Sequence, residues 1–243
     1  MVRDSDREYI YKYLPKDRWE EGIQLLEKGI APQYIVGDVD FFGNLIEVNP
    51  HVLIPRFETE LLVEKTIYYI RRIFGIDLEN LNILDIGTGS GCIAISLKKK
   101  LDSHVMGVDI SPMALEVAER NASRHSVDID FVLSDIFSSV SSSFDVIVSN
   151  PPYIREDEEV EKIVLDNEPH MALYAKENGL YFYHEILKNA SKYLNSKFLI
   201  AFEIGVGQGD KIKEFAKKYL DDVSVLIEND YSGRERFVFI YRD

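Results

Sequence analysis

From residue 82 to the C-terminus the chain alternates short apolar runs with amphipathic segments, and no other feature restricts its fold as much. Runs rich in β-branched and aromatic residues predict strands at 82–86, 104–109, 129–133, 144–149, 197–203, 223–228 and 236–241. Helical spacing predicts helices at about 91–100, 112–124, 179–194 and 208–220, with Ser111-Pro112 as cap and first helical residue. Such alternation builds a doubly wound α/β sheet, mostly parallel and seven-stranded. Only Glu228 to Glu235 separates the final two strands. That is too short for a parallel crossover, so the last strand is expected to insert antiparallel.

Upstream the pattern changes twice. Ser5-Asp6-Arg7-Glu8 is a capping-box sequence that predicts a short helix carrying Tyr9, Ile10 and Tyr13. Pro15 interrupts it, and Trp19, Ile23 and Leu26 share one face of a second helix that Gly29 closes. Then Gln33–Val36, Val39–Phe42 and Leu45–Val48 are expected as strands, with Gly43-Asn44 as a hairpin turn. A long amphipathic helix follows over Glu58–Phe74. The expected organisation is a helical arm at 1–28, a β-hairpin connector at 29–57 and the α/β domain at 58–243. The arm has too few residues for a core of its own and must pack on its neighbours.

Two stretches carry chemistry. In Phe144-Asp145-Val146-Ile147-Val148-Ser149-Asn150-Pro151-Pro152-Tyr153 a buried strand ends at two prolines, which cannot continue it. Each proline fixes its own φ and biases the residue before it to extended geometry. The outcome is a stiff corner at a strand's carboxyl end, where open α/β sheets place ligands. Asn150 offers an amide oxygen, Pro151 a carbonyl with no N–H of its own, and Tyr153 a flat ring. Two acceptors and a ring face can hold a planar NH₂ group. Asn-Pro and Pro-Pro are also ordinary turn dipeptides, so the tetrapeptide needs support from elsewhere in the chain.

That support is a glycine loop. Asn82-Ile83-Leu84-Asp85-Ile86 runs into Gly87-Thr88-Gly89-Ser90-Gly91, whose glycines let a ligand approach the backbone. The dinucleotide fingerprint needs a glycine where Cys92 stands, which weakens a nicotinamide reading. Asp109 ends the next strand, where a carboxylate accepts ribose hydroxyls. Asp135 ends the third, placed to accept an adenine amino group while the Ile136 N–H donates to the ring. An acidic lining with no phosphate partner suits a cofactor bearing a positive sulfonium, S-adenosylmethionine.

The balance of 28 Lys and Arg against 42 Asp and Glu, a formal net charge of −14, argues against a phosphate-rich partner. Cys92 is the single cysteine and the five histidines show no metal spacing, so no disulfide or metal site is expected. A polar N-terminus, Met1-Val2-Arg3-Asp4-Ser5, and the lack of a long apolar run predict no leader and no membrane association, and a cytoplasmic setting.

The chain resembles class I S-adenosylmethionine-dependent methyltransferases, and among them the family that methylates a glutamine side-chain amide in peptide-chain release factors. Asn150-Pro151-Pro152-Tyr153 matches that family's substrate motif. Pro32–Gly37 with Val52-Leu53-Ile54-Pro55-Arg56-Phe57-Glu58-Thr59-Glu60 is similar to its hairpin and helix start. Glu168-Pro169-His170-Met171-Ala172-Leu173, Gly179-Leu180 and Ser232-Gly233-Arg234-Glu235-Arg236-Phe237 match later markers. Phe57 stands where the family usually has proline, and Ala175-Lys176 where it has a glycine pair. The family's N-terminal helical domain corresponds here to residues 1–28. The resemblance implies a Rossmann-like fold, the GGQ glutamine of a release factor as substrate, S-adenosylmethionine as cofactor and S-adenosylhomocysteine as product. It casts Asn150, Pro151 and Tyr153 as catalytic, with Pro152 completing the substrate site. It assigns the cofactor to Gly87, Thr88, Gly89, Ser90, Gly91, Asp109, Asp135, Ile136 and Asn150.

Alternatives remain. The Asn-Pro-Pro-Tyr motif is shared with amino-methyltransferases of nucleobases, although Glu156-Asp157-Glu158-Glu159 just after it would repel a phosphate backbone. A ribosomal-protein glutamine methyltransferase carries nearly the same motifs. A cofactor-binding protein without catalysis is the third, disfavoured by the intact tetrapeptide.

Overall fold

The computed structural model describes residues 2–76 and 78–243. The chain opens with α1 (Asp4–Tyr13) and α2 (Trp19–Glu27), then α3 (Pro32–Val36), β1 (Asp38–Phe41) and β2 (Asn44–Glu47). After α4 (Phe57–Phe74) the alternation begins: β3 (Asn82–Ile86), α5 (Cys92–Leu101), β4 (His104–Asp109), α6 (Pro112–Arg124), β5 (Asp130–Leu133) and β6 (Phe144–Ser149). A minor excursion holds β7 (Ile154–Arg155), α7 (Lys162–Asn167), β8 (Tyr174–Ala175) and one irregular turn, α8 (Lys176–Gly179). The chain closes with α9 (Tyr181–Ala190), β9 (Leu194–Glu203), α10 (Gly209–Tyr219), β10 (Ser224–Asn229) and β11 (Glu235–Arg242).

The main sheet has seven strands in the order β10-β11-β9-β6-β3-β4-β5. Six strands point the same way, and β11 alone inserts antiparallel between β9 and β10, as the short final connection requires. The sequence doubles back at β3, with β4 on one side and β6 on the other. Ile86 pairs with Ser149 there, and the Ser149 hydroxyl donates to the Ile86 carbonyl at 2.7 Å. The glycine loop and the Asn150 corner therefore leave the sheet side by side, at the switch point where such sheets bind ligands.

Apolar layers cover both faces. One gathers Leu62, Ile70, Ile95, Val117, Val148 and Phe239, and the other Leu84, Ile147, Tyr183, Ile186, Phe202 and Ile212. Each fully buried side chain of this size contributes about 1.5–3 kcal/mol.

Four expectations need correction. Gln33–Val36 is helical, because Pro32 at the first helical position presets φ and Gly37 stops the turn in the left-handed region at φ 87°. The helix delivers Ile35 to the arm's cluster with Ile10, Leu14 and Leu26, and holds the Tyr34 hydroxyl 2.6 Å from the Val52 carbonyl. The hairpin turn is Phe42-Gly43, both at positive φ, one residue earlier than expected. Asn44 is drawn into the strand by Ser96 and by Lys99, whose Nζ donates to Asn44 Oδ1 at 2.6 Å. The capping box does not form. α1 starts at Asp4, and the Arg3 guanidinium instead donates to both Asp6 oxygens. Finally, α9 stops at Ala190 and β9 begins at Leu194, because Phe144 N–H donates to the Tyr193 carbonyl at 2.7 Å and extends the sheet there.

Candidate active site

A cavity of about 310 Å³ opens at the carboxyl ends of β3, β4, β5 and β6. Gly87, Gly89, Asp109, Asp135, Ile136, Asn150, Pro151 and Pro152 line it, with His51, Val52 and Leu53 on one wall and Pro169, Met171 and Phe182 on another. These residues come from seven separate stretches of chain.

The side of the cavity at the glycine loop is built from backbone. Gly87 and Gly89 have φ of 72° and 56°, and a side chain on Gly87 would project into open space. Asp109 Oδ2 accepts the Gly89 N–H and Oδ1 accepts the Ser111 N–H, each at 2.9 Å. The carboxylate thus joins the glycine loop to the start of α6, and each oxygen keeps a lone pair for a further donor. Burial pushes its carboxyl up, against the opposing pull of those N–H groups. Ile136 holds φ 51°, uncommon for a β-branched residue, with its carbonyl accepting the Ser134 hydroxyl at 3.0 Å. Asp135 is exposed at the rim.

Thr88, Ser90, Gly91 and Tyr153 do not line the cavity. The Thr88 hydroxyl donates to Asp85 at 2.7 Å, and the Ser90 carbonyl accepts from Asn121 at 2.9 Å. Gly91 caps α5 in the left-handed region, where a Cβ would stand 3.1 Å from that of Ala118. These three shape the loop from beneath. Cys92 is buried and burial pushes its thiol up to about 12, so it is inert at neutral pH.

The corner after β6 is braced by residues that sequence reading did not single out. Asn150 Nδ2 donates to the Thr59 hydroxyl oxygen at 3.0 Å, and that hydroxyl donates to Glu203 Oε2 at 2.7 Å. The Tyr153 hydroxyl lies 3.5 Å from Glu203 Oε1. Burial, with the Glu203 charge beside it, pushes the Tyr153 phenol up and keeps it a neutral donor. The Tyr153 carbonyl accepts from Gln208 Nε2 at 3.1 Å. A Cβ on Gly179 would fall 2.2 Å from that carbonyl, so only glycine fits there. Glu203 carried a legible signal, an acid closing an apolar run as Asp109 does. Thr59 lies in the 52–60 stretch that resembles the family's helix start, with nothing local to mark its role, and Gln208 carried no signal.

The lining suits one cofactor class over another. Among the described lining residues there is no lysine or arginine, while Asp109 and Asp135 face the cavity. A dinucleotide pyrophosphate finds no cation here. A positively charged sulfonium beside an adenosine finds carboxylates for its hydroxyl and amino groups. Among the described residues no cluster of His, Cys, Asp or Glu could hold a metal ion.

Comparison with known proteins agrees with this chemistry. The model of the Methyltransferase small domain matches residues 72–179. The release factor glutamine methyltransferase of Streptococcus pneumoniae is 45% identical over 225 residues, covering 91% of this chain and 78% of that one. The chain belongs to the release factor glutamine methyltransferase family. A second relative of the same name, from Flavobacterium psychrophilum, is 41% identical over 91% of this chain and 79% of its own. A solved member, the release factor-specific protein-(glutamine-N5) methyltransferase of Alicyclobacillus acidocaldarius, is 27% identical with a TM-score of 0.51. The match covers 81% of this chain and 99% of that one. Membership makes this chain a methyltransferase with a class I fold. Among the described residues no helix is long and apolar enough to cross a membrane.

Proposed function

We propose that this methyltransferase transfers a methyl group from S-adenosylmethionine to the side-chain amide nitrogen of a glutamine, the GGQ glutamine of a peptide-chain release factor. The observation that carries the reading is the Asn150 amide, a residue of the cavity wall whose nitrogen is engaged by Thr59, which leaves its oxygen as the group to accept from a substrate.

An amide nitrogen is a poor nucleophile because its lone pair is delocalised into the carbonyl. Asn150 Oδ1 and the Pro151 carbonyl accept the two N–H groups of the substrate amide. That pair of bonds fixes the amide plane, aims the nitrogen and stabilises the positive charge that develops on it. The bound cofactor supplies an electrophilic methyl group on sulfur. Asp109 would hold its ribose, Asp135 and Ile136 its base, and Gly87 and Gly89 would let its chain pass close to the backbone. Tyr153, a neutral phenol, braces the corner. As the N–C bond forms, the S–C bond would break and S-adenosylhomocysteine would leave with the electron pair, the extra proton on nitrogen passing to solvent. Among the described residues no side chain at the corner is set as a strong base, so alignment carries the rate, and orientation of this kind contributes about 7–11 kcal/mol.

The substrate is a protein rather than nucleic acid. Glu156, Asp157, Glu158 and Glu159 are exposed directly after the corner and would repel phosphates while attracting a basic tip. A protein acting on a translation factor works in the cytoplasm. The deciding experiment incubates the purified protein with isotopically labelled S-adenosylmethionine and separately with a release factor, a ribosomal-protein mixture, DNA and RNA. Mass spectrometry should place the label on the release-factor glutamine; label on nucleic acid or on ribosomal protein alone would overturn the reading.

A further inference from the structure

Behind the Asn150 amide stands a buried acid that does not line the cavity. Glu203 closes β9 with only 1% of its surface exposed. Thr59 from the first turn of α4 and Tyr153 from beyond β6 converge on it, and the charge of Arg236, on β11, acts on it from farther off. Glu58 also faces it electrostatically, and the Tyr183 hydroxyl donates to its backbone carbonyl at 2.8 Å. The Arg236 guanidinium is directed elsewhere: its Nη1 donates to the Ile204 carbonyl at 3.1 Å and its Nε lies 3.7 Å from Asp230.

The hydrogen-bond arithmetic gives this acid a task. An asparagine amide is a donor at one end and an acceptor at the other, and both ends fit the same space. A threonine hydroxyl has one proton. While Glu203 is ionised it can only accept, so the Thr59 proton is committed to it across 2.7 Å. The Thr59 oxygen can then only accept from Asn150, across 3.0 Å, which requires Nδ2 at that end. Oδ1 is left for the substrate. We propose that Glu203, acting through Thr59, is a positioning residue that holds the Asn150 amide with its oxygen toward the substrate, and that protonation of Glu203 removes this direction and lowers turnover. A protonated Glu203 can donate to Thr59, whose own proton then turns toward Asn150. The asparagine that accepts it presents NH₂ to the substrate's NH₂, donor against donor.

This inference deepens the glutamine-methylation reading and rests on it. Burial is the largest influence on the Glu203 carboxyl and pushes it up to about 7, while Thr59 and Arg236 pull the other way. The ionised, productive form is therefore present above about pH 7 and lost below it.

The test compares wild type with Thr59→Ser, Thr59→Val and Glu203→Gln. Single-turnover rates at saturating cofactor are measured across pH, cofactor affinity is measured by calorimetry, and the Asn150 side-chain NH₂ is followed by ¹⁵N NMR in the protein alone. Wild type and Thr59→Ser should lose rate as pH falls through neutrality, about tenfold per pH unit. Thr59→Val and Glu203→Gln should lack that limb and turn over more slowly at high pH, by on the order of 10² for Thr59→Val. Cofactor affinity should hold. The Asn150 resonance should titrate in wild type and not in Thr59→Val. Wild-type turnover by Thr59→Val, or an unchanged acid limb in Glu203→Gln, would overturn the relay. If wild type fails to methylate the release factor, the substrate reading falls instead, and the Asn150 titration still decides the relay.

Discussion

Glu168 and Arg56, 112 residues apart, form an ion pair that ties two walls of the active site together. The Glu168 side chain is 2% exposed, and its second oxygen accepts the Ile54 N–H at 3.2 Å. Ile54 follows Val52 and Leu53 of one wall, and Pro169 and Met171 of the other follow Glu168. Glu168→Ala should therefore cost about 3 kcal/mol, the low end for breaking a buried pair since Arg56 is partly solvated. Thermal unfolding should show the drop, with KM for the protein substrate rising. Glu168→Gln keeps the Ile54 bond and should lose less. A wild-type Tm in Glu168→Ala would refute the clamp.

Asn150→Ala removes one acceptor for the substrate amide and leaves Gly87, Gly89, Asp109 and Asp135 in place. Turnover should fall by about 3–4 kcal/mol in barrier, the cost of losing a group that orients charge in a transition state. Cofactor affinity, measured by calorimetry, should change little. Near-normal turnover would remove Asn150 from the mechanism.

Asp109 joins the Gly89 and Ser111 N–H groups and faces the cavity. Asp109→Ala should weaken S-adenosylmethionine and S-adenosylhomocysteine alike, by about 1.5–3 kcal/mol, as for hydrogen bonds to a charged group. Asp109→Asn retains an acceptor and should lose less. Equal affinity in all three proteins would mean the ribose lies elsewhere.

Stability should depend on pH through Asp85. Burial pushes its carboxyl up to about 7, with the Thr88 hydroxyl opposing. The folded chain then holds this proton more tightly than the unfolded chain, whose carboxyl titrates near 4. The stabilisation is full below the unfolded value and is lost as pH rises through the folded one, at about 1.4 kcal/mol per pH unit. Glu203 acts in the same direction. Thermal scans should give a Tm that falls between about pH 4 and 7, with a shallower fall in Asp85→Asn. A slope that Asp85→Asn leaves unchanged would show that Asp85 ionises normally.

The acidic run bears on encounter. Arg155 pairs with Asp157 at 2.9 Å, so Glu156, Glu158 and Glu159 carry the uncompensated charge. Replacing these three with glutamine should lower kcat/KM at low salt and flatten its decline as salt approaches 0.1 M, where the Debye length is about 10 Å. Cofactor affinity should stay unchanged. An unaltered salt slope would reduce the run to a solvated loop.

What the residues declared by themselves was periodic or conformational. The alternation from Asn82 onward set the order of strands and helices, because burial on one face is written in residues two, three or four apart. Gly87, Gly89 and the prolines after Asn150 marked both halves of the site, because positive φ and a locked φ are demands of the residue itself. Direction was not local. Gln33–Val36 has the composition of a strand, yet its helix is selected by Pro32, Gly37 and the pocket that Ile35 fills among Ile10, Leu14 and Leu26. Thr59 reaches Asn150 across 91 residues and Glu203 across 144. Neither link exists until the strand order sets β6 beside β9 and α4 packs against that strand. A buried carboxylate has no partner except those the fold delivers, and so the tertiary structure alone decided which way the Asn150 amide faces.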